Sequence, residues 1–252
     1  MKYSYEELAG MIDHALLHPT LGDLGVAEGC RMAEEYRIAS VCVKPCAVAQ
    51  AAELLRESPV RVGCVVGFPH GNSSIVVKRF ETEQACRDGA EEIDMVVNVG
   101  KALDGDWHYV ETEVREVTDV AHAGGAKVKV IFETDYLPED ETKKRLCEVA
   151  SKAKADWVKT STGFGFVKGD DGHLISRGAT EHDLRLMRAS CPPSVQVKAS
   201  GGVRTLDALI RVRDLGCTRC GTSATREILD EYRRRSDGGA SAKSGVEDAG
   251  GY

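Results

Sequence analysis

Three lysines and an aspartate set the chemistry open to this chain. Lys129, Lys159, Lys198 and Asp94 each fall in a short, largely apolar run. Side chains alternate across a strand. In residues 92–99 the odd positions are all apolar, which leaves Glu92, Asp94 and Asn98 on the opposite face. The same parity turns Lys129 inward in 127–133, Lys159 in 155–161, Lys198 and Ser200 in 194–200, and Cys42 in 39–44. Buried charges are costly unless paired. Charges from four runs turned to one face therefore point to a site rather than to a structural ion pair. A lysine is a nucleophile only when neutral, and burial or a neighbouring cation depresses its pKa. Lys159 and Lys198 can do this to each other. A neutral amine attacks an aldehyde or ketone to give an imine. The protonated imine is an electron sink, so the adjacent carbon loses a proton or a C–C bond breaks. Asp94, beside Lys129 or Lys198, can move protons through water. Such chemistry needs no metal and no cofactor, and none is expected.

The elements that must carry these residues follow from periodicity. Short apolar runs at 11–15, 39–43, 60–66, 92–97, 127–132, 156–159, 195–198 and 217–221 alternate with stretches of helical spacing at 26–36, 47–56, 78–88, 107–122, 139–154, 180–189 and 205–215. Pro138–Glu141 and Thr180–Asp183 read as helix starts. Eight strand–helix units over roughly 230 residues predict an α/β fold of the (β/α)8 TIM-barrel type. A doubly wound sheet is the competitor, but it usually offers a glycine-rich fingerprint after its first strand, and none is present. The expected division is one barrel over residues 1–235 and a flexible Gly/Ser/Ala-rich tail over 236–252 ending in Tyr252.

Composition narrows the partners. Thirty-three basic and forty acidic residues give a net charge of −7, whereas chains that grip nucleic acid usually carry a basic surplus. No stretch of about 18 apolar residues could span a membrane, and the N-terminus meets acids before an apolar run forms. Nine cysteines lie scattered through apolar segments without framework spacing, which predicts reduced thiols and a cytoplasmic address. Cys217–Cys220 and Cys42/Cys46 each lack a second ligand pair, so packing is the expected role and a metal site is not.

Glycine marks a second function. Gly201-Gly202-Val203-Arg204-Thr205 follows the seventh run, and Gly221-Thr222-Ser223-Ala224 follows the eighth. In a TIM barrel these two loops often hold phosphate on backbone N–H groups and a helix N-terminus. Gly163, after Thr160-Ser161-Thr162, supplies a third small-residue loop.

In their order along the chain these motifs resemble the deoxyribose-phosphate aldolase family. The segments are Ile12–Leu17, Val65–Gly71, Glu92–Val96, Val158–Phe164, Val197–Thr205 and Gly221–Ser223. The resemblance runs from about Ile12 to about Leu229. It implies reversible cleavage of 2-deoxy-D-ribose 5-phosphate to D-glyceraldehyde 3-phosphate and acetaldehyde through a lysine Schiff base, in deoxyribose phosphate catabolism. Lys159 would form the imine, Lys198 would sit beside it and share in proton transfer, and Asp94 would donate and accept protons. Lys129 would support Asp94, and Cys42 matches a family cysteine near the site. Thr160, Gly163, Gly201, Gly202, Gly221 and Ser223 would bind the phosphosugar. The resemblance also implies a homo-oligomer, dimer or tetramer. Some relatives end in a tyrosine linked to proton transfer at the imine carbon. A flexible tail of about 15 residues reaches on the order of 20 Å, so Tyr252 is expected to visit the site. Two departures stand out. Phe164 occupies the place of a lysine that touches phosphate in some members, with Lys168 or Arg177 as replacement cations, and Ala224 replaces a second serine. Another Schiff-base phosphosugar aldolase and a non-catalytic phosphate-binding barrel are the alternatives.

Overall fold

Eight parallel strands close on one another in the computed structural model, which describes residues 1–169 and 171–238. They are β1 (Ile12–Leu16), β2 (Ser40–Val43), β3 (Arg61–Val66), β4 (Glu92–Val96), β5 (Lys127–Ile131), β6 (Trp157–Lys159), β9 (Gln196–Ser200) and β10 (Arg219–Thr222). Each pairs with the next barrel strand, and β10 returns to β1. A short antiparallel hairpin, β7 (Val167–Lys168) and β8 (Leu174–Ile175), is inserted between β6 and β9. The eight expected runs all appear as barrel strands, with ends moved by one or two residues.

Most of the helices that wrap the barrel do so through an apolar stripe. They are α1 (Tyr5–Ala9), α2 (Asp23–Tyr36), α3 (Val48–Leu54), α4 (Ile75–Arg87), α5 (Val99–Leu103), α6 (Trp107–Ala123), α7 (Asp140–Lys152), α8 (Glu181–Ser190), α9 (Leu206–Asp214) and α10 (Thr225–Ser236). In α6, Val110, Val114, Val117 and Ala121 recur at helical spacing and are buried, and the Asp106 side chain caps the first turn. The strands answer with Ile93, Met95, Val128, Val130, Val158, Val197 and Ala199, all fully buried between sheet and helices. Several expected boundaries shift, with α2 and α4 each beginning three residues earlier than expected. Thr180 caps α8 as anticipated, whereas α7 begins at Asp140 without a side-chain cap. Ser236, assigned to the tail, is the last residue of α10, because the helical pattern continues through Arg233–Arg235. Tyr252 lies outside the described residues.

One charged pair braces the loops at the C-terminal mouth. Lys78 on α4 is fully buried, and its ammonium donates to Gly71 O, Val96 O and Glu113 Oε1, each at 2.6 Å. Glu113 on α6 also accepts the Asn98 N–H at 2.8 Å. All three ammonium hydrogens are thereby used, and the loops after β3 and β4 are tied to two helices. Lys78→Met is expected to lower the unfolding free energy by about 3–5 kcal/mol, since it leaves Glu113 charged and buried without a cation. Urea denaturation reads this directly. A loss under about 1 kcal/mol would mean that the pair merely fills space.

Candidate active site

Register brings the chemistry together. Lys159 on β6 pairs directly with Lys198 on β9, and Asp94 on β4 pairs with Lys129 on β5. All four side chains point into the barrel. The Asp94 carboxylate is the hub. Its Oδ2 accepts from Lys159 at 2.8 Å and from Lys198 at 2.7 Å, and its Oδ1 accepts from Lys129 at 2.8 Å. Gly221, the β10 residue beside them, leaves the room Lys198 needs. A side chain there would begin 2.9 Å from Ser200 Oγ and 3.4 Å from Lys198 Cε.

Deeper in the barrel the network continues through groups the sequence reading left without a role. Lys129 also contacts Glu92 at 2.5 Å and Asp13 at 3.3 Å. Arg219 on β10 bridges Glu92, at 2.5 Å, and Asp13. The Trp157 ring lies within cation–π range of Lys129 and Arg219. Asp13 also faces Lys198 at 2.6 Å, yet its Oδ2 receives no well-directed hydrogen bond. Parity alone would have turned Asp13 and Arg219 inward.

Charge pairing within the barrel shifts these groups. Asp13, Glu92 and Asp94 are fully buried carboxylates, and Lys129, Lys198 and Arg219 supply three matching cations. Lys159 is the surplus base. Burial pulls its pKa down and Lys198 adds to the fall, against the opposing pull of Asp94. Lys198 is also desolvated, but Asp13 and Asp94 together outweigh burial and raise its pKa. Burial would raise Asp94, yet its three lysines hold it well below the ordinary carboxylate range. The site therefore presents an amine of depressed pKa beside an ammonium held by two carboxylates.

Above this cluster lies an open cavity at the C-terminal end of the strands. Lys159 and Lys198 line its floor, and Leu17, Cys42 and Phe164 line an apolar side. Phe164 packs edge-on against Phe68, with ring centroids 5.3 Å apart. Burial pushes the Cys42 thiol up to about 11, so it faces the cavity as a neutral, apolar group. Gly163, Gly201, Gly202, Gly221 and Ser223 line the polar side. Arg204 and Thr222 join them. Thr222 Oγ1 donates to Val203 O at 2.7 Å and accepts from Ala224 N at 3.0 Å, which joins the loops after β9 and β10.

Thr160 does not reach the cavity. Its hydroxyl donates to Ser200 O at 2.9 Å and accepts the Ser200 N–H at 3.0 Å, so it stitches β6 to β9. An outward position on β6 explains this, and Thr162, two residues further, lines the cavity instead. Lys168 and Arg177 are exposed and do not line it either, whereas Arg204 does.

Comparison with known proteins follows this geometry. Residues 8–229 match the family described as DeoC/LacD family aldolase. The deoxyribose-phosphate aldolase of Rhodopirellula baltica is 47% identical over 233 residues, covering 92% of this chain and 92% of that one. The enzyme of the same name from Thermococcus gammatolerans is 44% identical over 229 residues, covering 90% and 97%. Among solved structures, the deoxyribose phosphate aldolase of Aeropyrum pernix, described as a tetramer, superposes with a TM-score of 0.81 at 29% identity. That match covers 91% of this chain and 92% of that one.

Proposed function

The chain belongs to the DeoC/LacD family of aldolases and catalyses reversible aldol cleavage of 2-deoxy-D-ribose 5-phosphate; from that premise we propose that Lys159 is the amine that forms the imine. The observation that carries this is the shared oxygen of Asp94, which accepts from Lys159 at 2.8 Å and from Lys198 at 2.7 Å on the cavity floor, with burial lowering the pKa of Lys159 while Asp13 and Asp94 raise that of Lys198.

The steps follow from these groups. The Lys159 amine attacks the aldehyde carbon C1 of the open-chain sugar, and loss of water leaves a protonated imine. The C3 hydroxyl gives up its proton, the C2–C3 bond breaks, and its electron pair moves into the C1–C2 bond as an enamine. Glyceraldehyde 3-phosphate departs. A proton delivered to C2 turns the enamine into the imine of acetaldehyde, which water hydrolyses. Lys198 supplies and recovers protons, and Asp94 passes them between the two lysines. Lys129 holds Asp94 in place and keeps it ionised. Leu17, Cys42 and Phe164 offer the apolar contact that a two-carbon donor requires. Incubation with acetaldehyde and borohydride, then peptide mapping, tests the assignment. An ethyl adduct is expected on Lys159, and an adduct on any other lysine overturns it.

The phosphate is assigned to the loops after β9 and β10. Gly201, Gly202 and Ser223 lie there around Arg204, and α10 begins immediately beyond without a side-chain cap on its free N–H groups. Ser223→Glu places a negative charge where the phosphate would sit. It is expected to raise KM for deoxyribose 5-phosphate by about 100-fold while changing activity on unphosphorylated deoxyribose little. Equal losses on both substrates would put the phosphate elsewhere.

A homo-oligomer is the proposed assembly. Val76, Val77 and Phe80 form an exposed apolar face on α4, which suits contact with a further copy. Light scattering on the purified chain reads the state. No described helix is long and apolar enough to cross a membrane, and a cytoplasmic address remains the proposal.

A further inference from the structure

We propose that Asp135 is a positioning residue that sets the phosphate loop from outside the cavity. It stands in the short 3-10 turn Thr134–Tyr136 that follows β5. Its half-buried carboxylate accepts four hydrogen bonds from the base of the inserted hairpin. Ser176 Oγ donates at 3.0 Å, Arg177 N at 3.1 Å to each oxygen, and Gly178 N at 3.2 Å. One side chain thus fixes three consecutive residues.

Those residues press on the phosphate loop. Gly178 adopts a positive φ of 60°, and a Cβ on it would stand 2.7 Å from Gly201 C and O. A Cβ on Gly201, itself at φ 92°, would stand 2.8 Å from Gly178 Cα. The two backbones touch as only paired glycines allow. Ala179 N donates to Gly201 O at 3.1 Å and completes the contact. Gly201 also lines the cavity. Displacement of the hairpin base therefore displaces a cavity wall on the phosphate side.

The same turn holds the opposite end of the insertion. Glu133, in the left-handed region at φ 58°, accepts the Thr162 N–H at 3.1 Å and the Thr162 hydroxyl. Tyr136 OH accepts the Phe166 N–H at 3.1 Å. These contacts lie beside Phe164 and the apolar wall, whereas those of Asp135 lie beside Gly201. Asp135 should accordingly act on phosphate recognition and leave the amine chemistry alone.

This inference rests on the assignment of phosphate to the loops after β9 and β10, and the test separates the two. Steady-state kinetics are measured on deoxyribose 5-phosphate and on unphosphorylated deoxyribose for Asp135→Ala, Asp135→Asn, Gly178→Ala and Ser223→Glu. Asp135→Ala is expected to raise KM for the phosphorylated substrate roughly tenfold, with kcat and the activity on deoxyribose near the parent values. Asp135→Asn keeps an acceptor oxygen and should recover most of the loss. Gly178→Ala, which pushes on Gly201 from the other side, should reproduce the Asp135→Ala pattern. An unchanged KM in Asp135→Ala, or equal loss on both substrates, overturns the proposal while a discriminating Ser223→Glu leaves the phosphate assignment standing. If Ser223→Glu itself fails to discriminate, the phosphate assignment falls and this proposal falls with it.

Discussion

Lys159→Ala is expected to lower turnover of deoxyribose 5-phosphate by on the order of 10⁵-fold, the scale on which deletion of a covalent nucleophile acts. No borohydride-trapped adduct should form. The barrel should survive the change, because Lys129, Lys198 and Arg219 still pair with Asp13, Glu92 and Asp94 when Lys159 is removed. Lys159→Arg tests the same point from the other side. A guanidinium stays protonated near neutral pH, so it cannot attack a carbonyl and is as inactive as alanine. It also adds a fourth positive charge to a network that already balances. Lys159→Arg should therefore unfold at lower denaturant than Lys159→Ala, by about 2 kcal/mol or more, as expected for an uncompensated buried charge. Trapping at Lys198 in either variant would transfer the nucleophile's role to that residue. Equal stability of the two variants would refute the neutral state of Lys159.

The residues that proved central were visible in sequence to the extent that strand parity governs them. Asp94, Lys129, Lys159 and Lys198 sit on strands long enough for alternation to fix a face, and the closed sheet then had to bring those faces together. Parity does not reveal register, and register makes Lys159 the partner of Lys198 rather than a neighbour one step away. Thr160 illustrates where the reading failed. It lies next to Lys159 in a family-like motif, but alternation sends it outward, and its hydroxyl is consumed by the Ser200 backbone. Asp13 and Arg219 obey parity and were still missed, since their meaning depends on Glu92 and Lys129, which are distant in sequence. The hairpin at 167–175 had no legible signal. Its two-residue strands are too short for alternation, and its position depends on Asp135 and on contact between Gly178 and Gly201.

Lys198→Leu is expected to move the acid limb of the kcat/KM profile to higher pH. Lys159 and Lys198 touch the same Asp94 oxygen at 2.8 and 2.7 Å, so their nitrogens lie no more than about 5.5 Å apart. At that distance two like charges repel by about 3 kcal/mol in an effective dielectric of 20, which lowers the pKa of Lys159. Burial also depresses Lys159, and more strongly, so the shift removes only the part that Lys198 contributes. The sign follows from charge balance. Without Lys198, the Asp94 carboxylate keeps only Lys129 and Lys159 as contacting cations, and Lys159 holds a proton more tightly. A protonated Lys159 is no nucleophile, so higher pH is needed to free it. The limb should move to higher pH, with a fall of about 10²–10⁴ in the plateau rate from the lost proton donor. Lys198→Arg separates these two effects. Its permanent charge keeps Lys159 depressed, but it does not release a proton near neutral pH. The acid limb should stay where it is in the parent while the plateau falls. If both variants leave the limb in place, Lys198 moves protons without tuning its neighbour, and burial alone keeps Lys159 neutral.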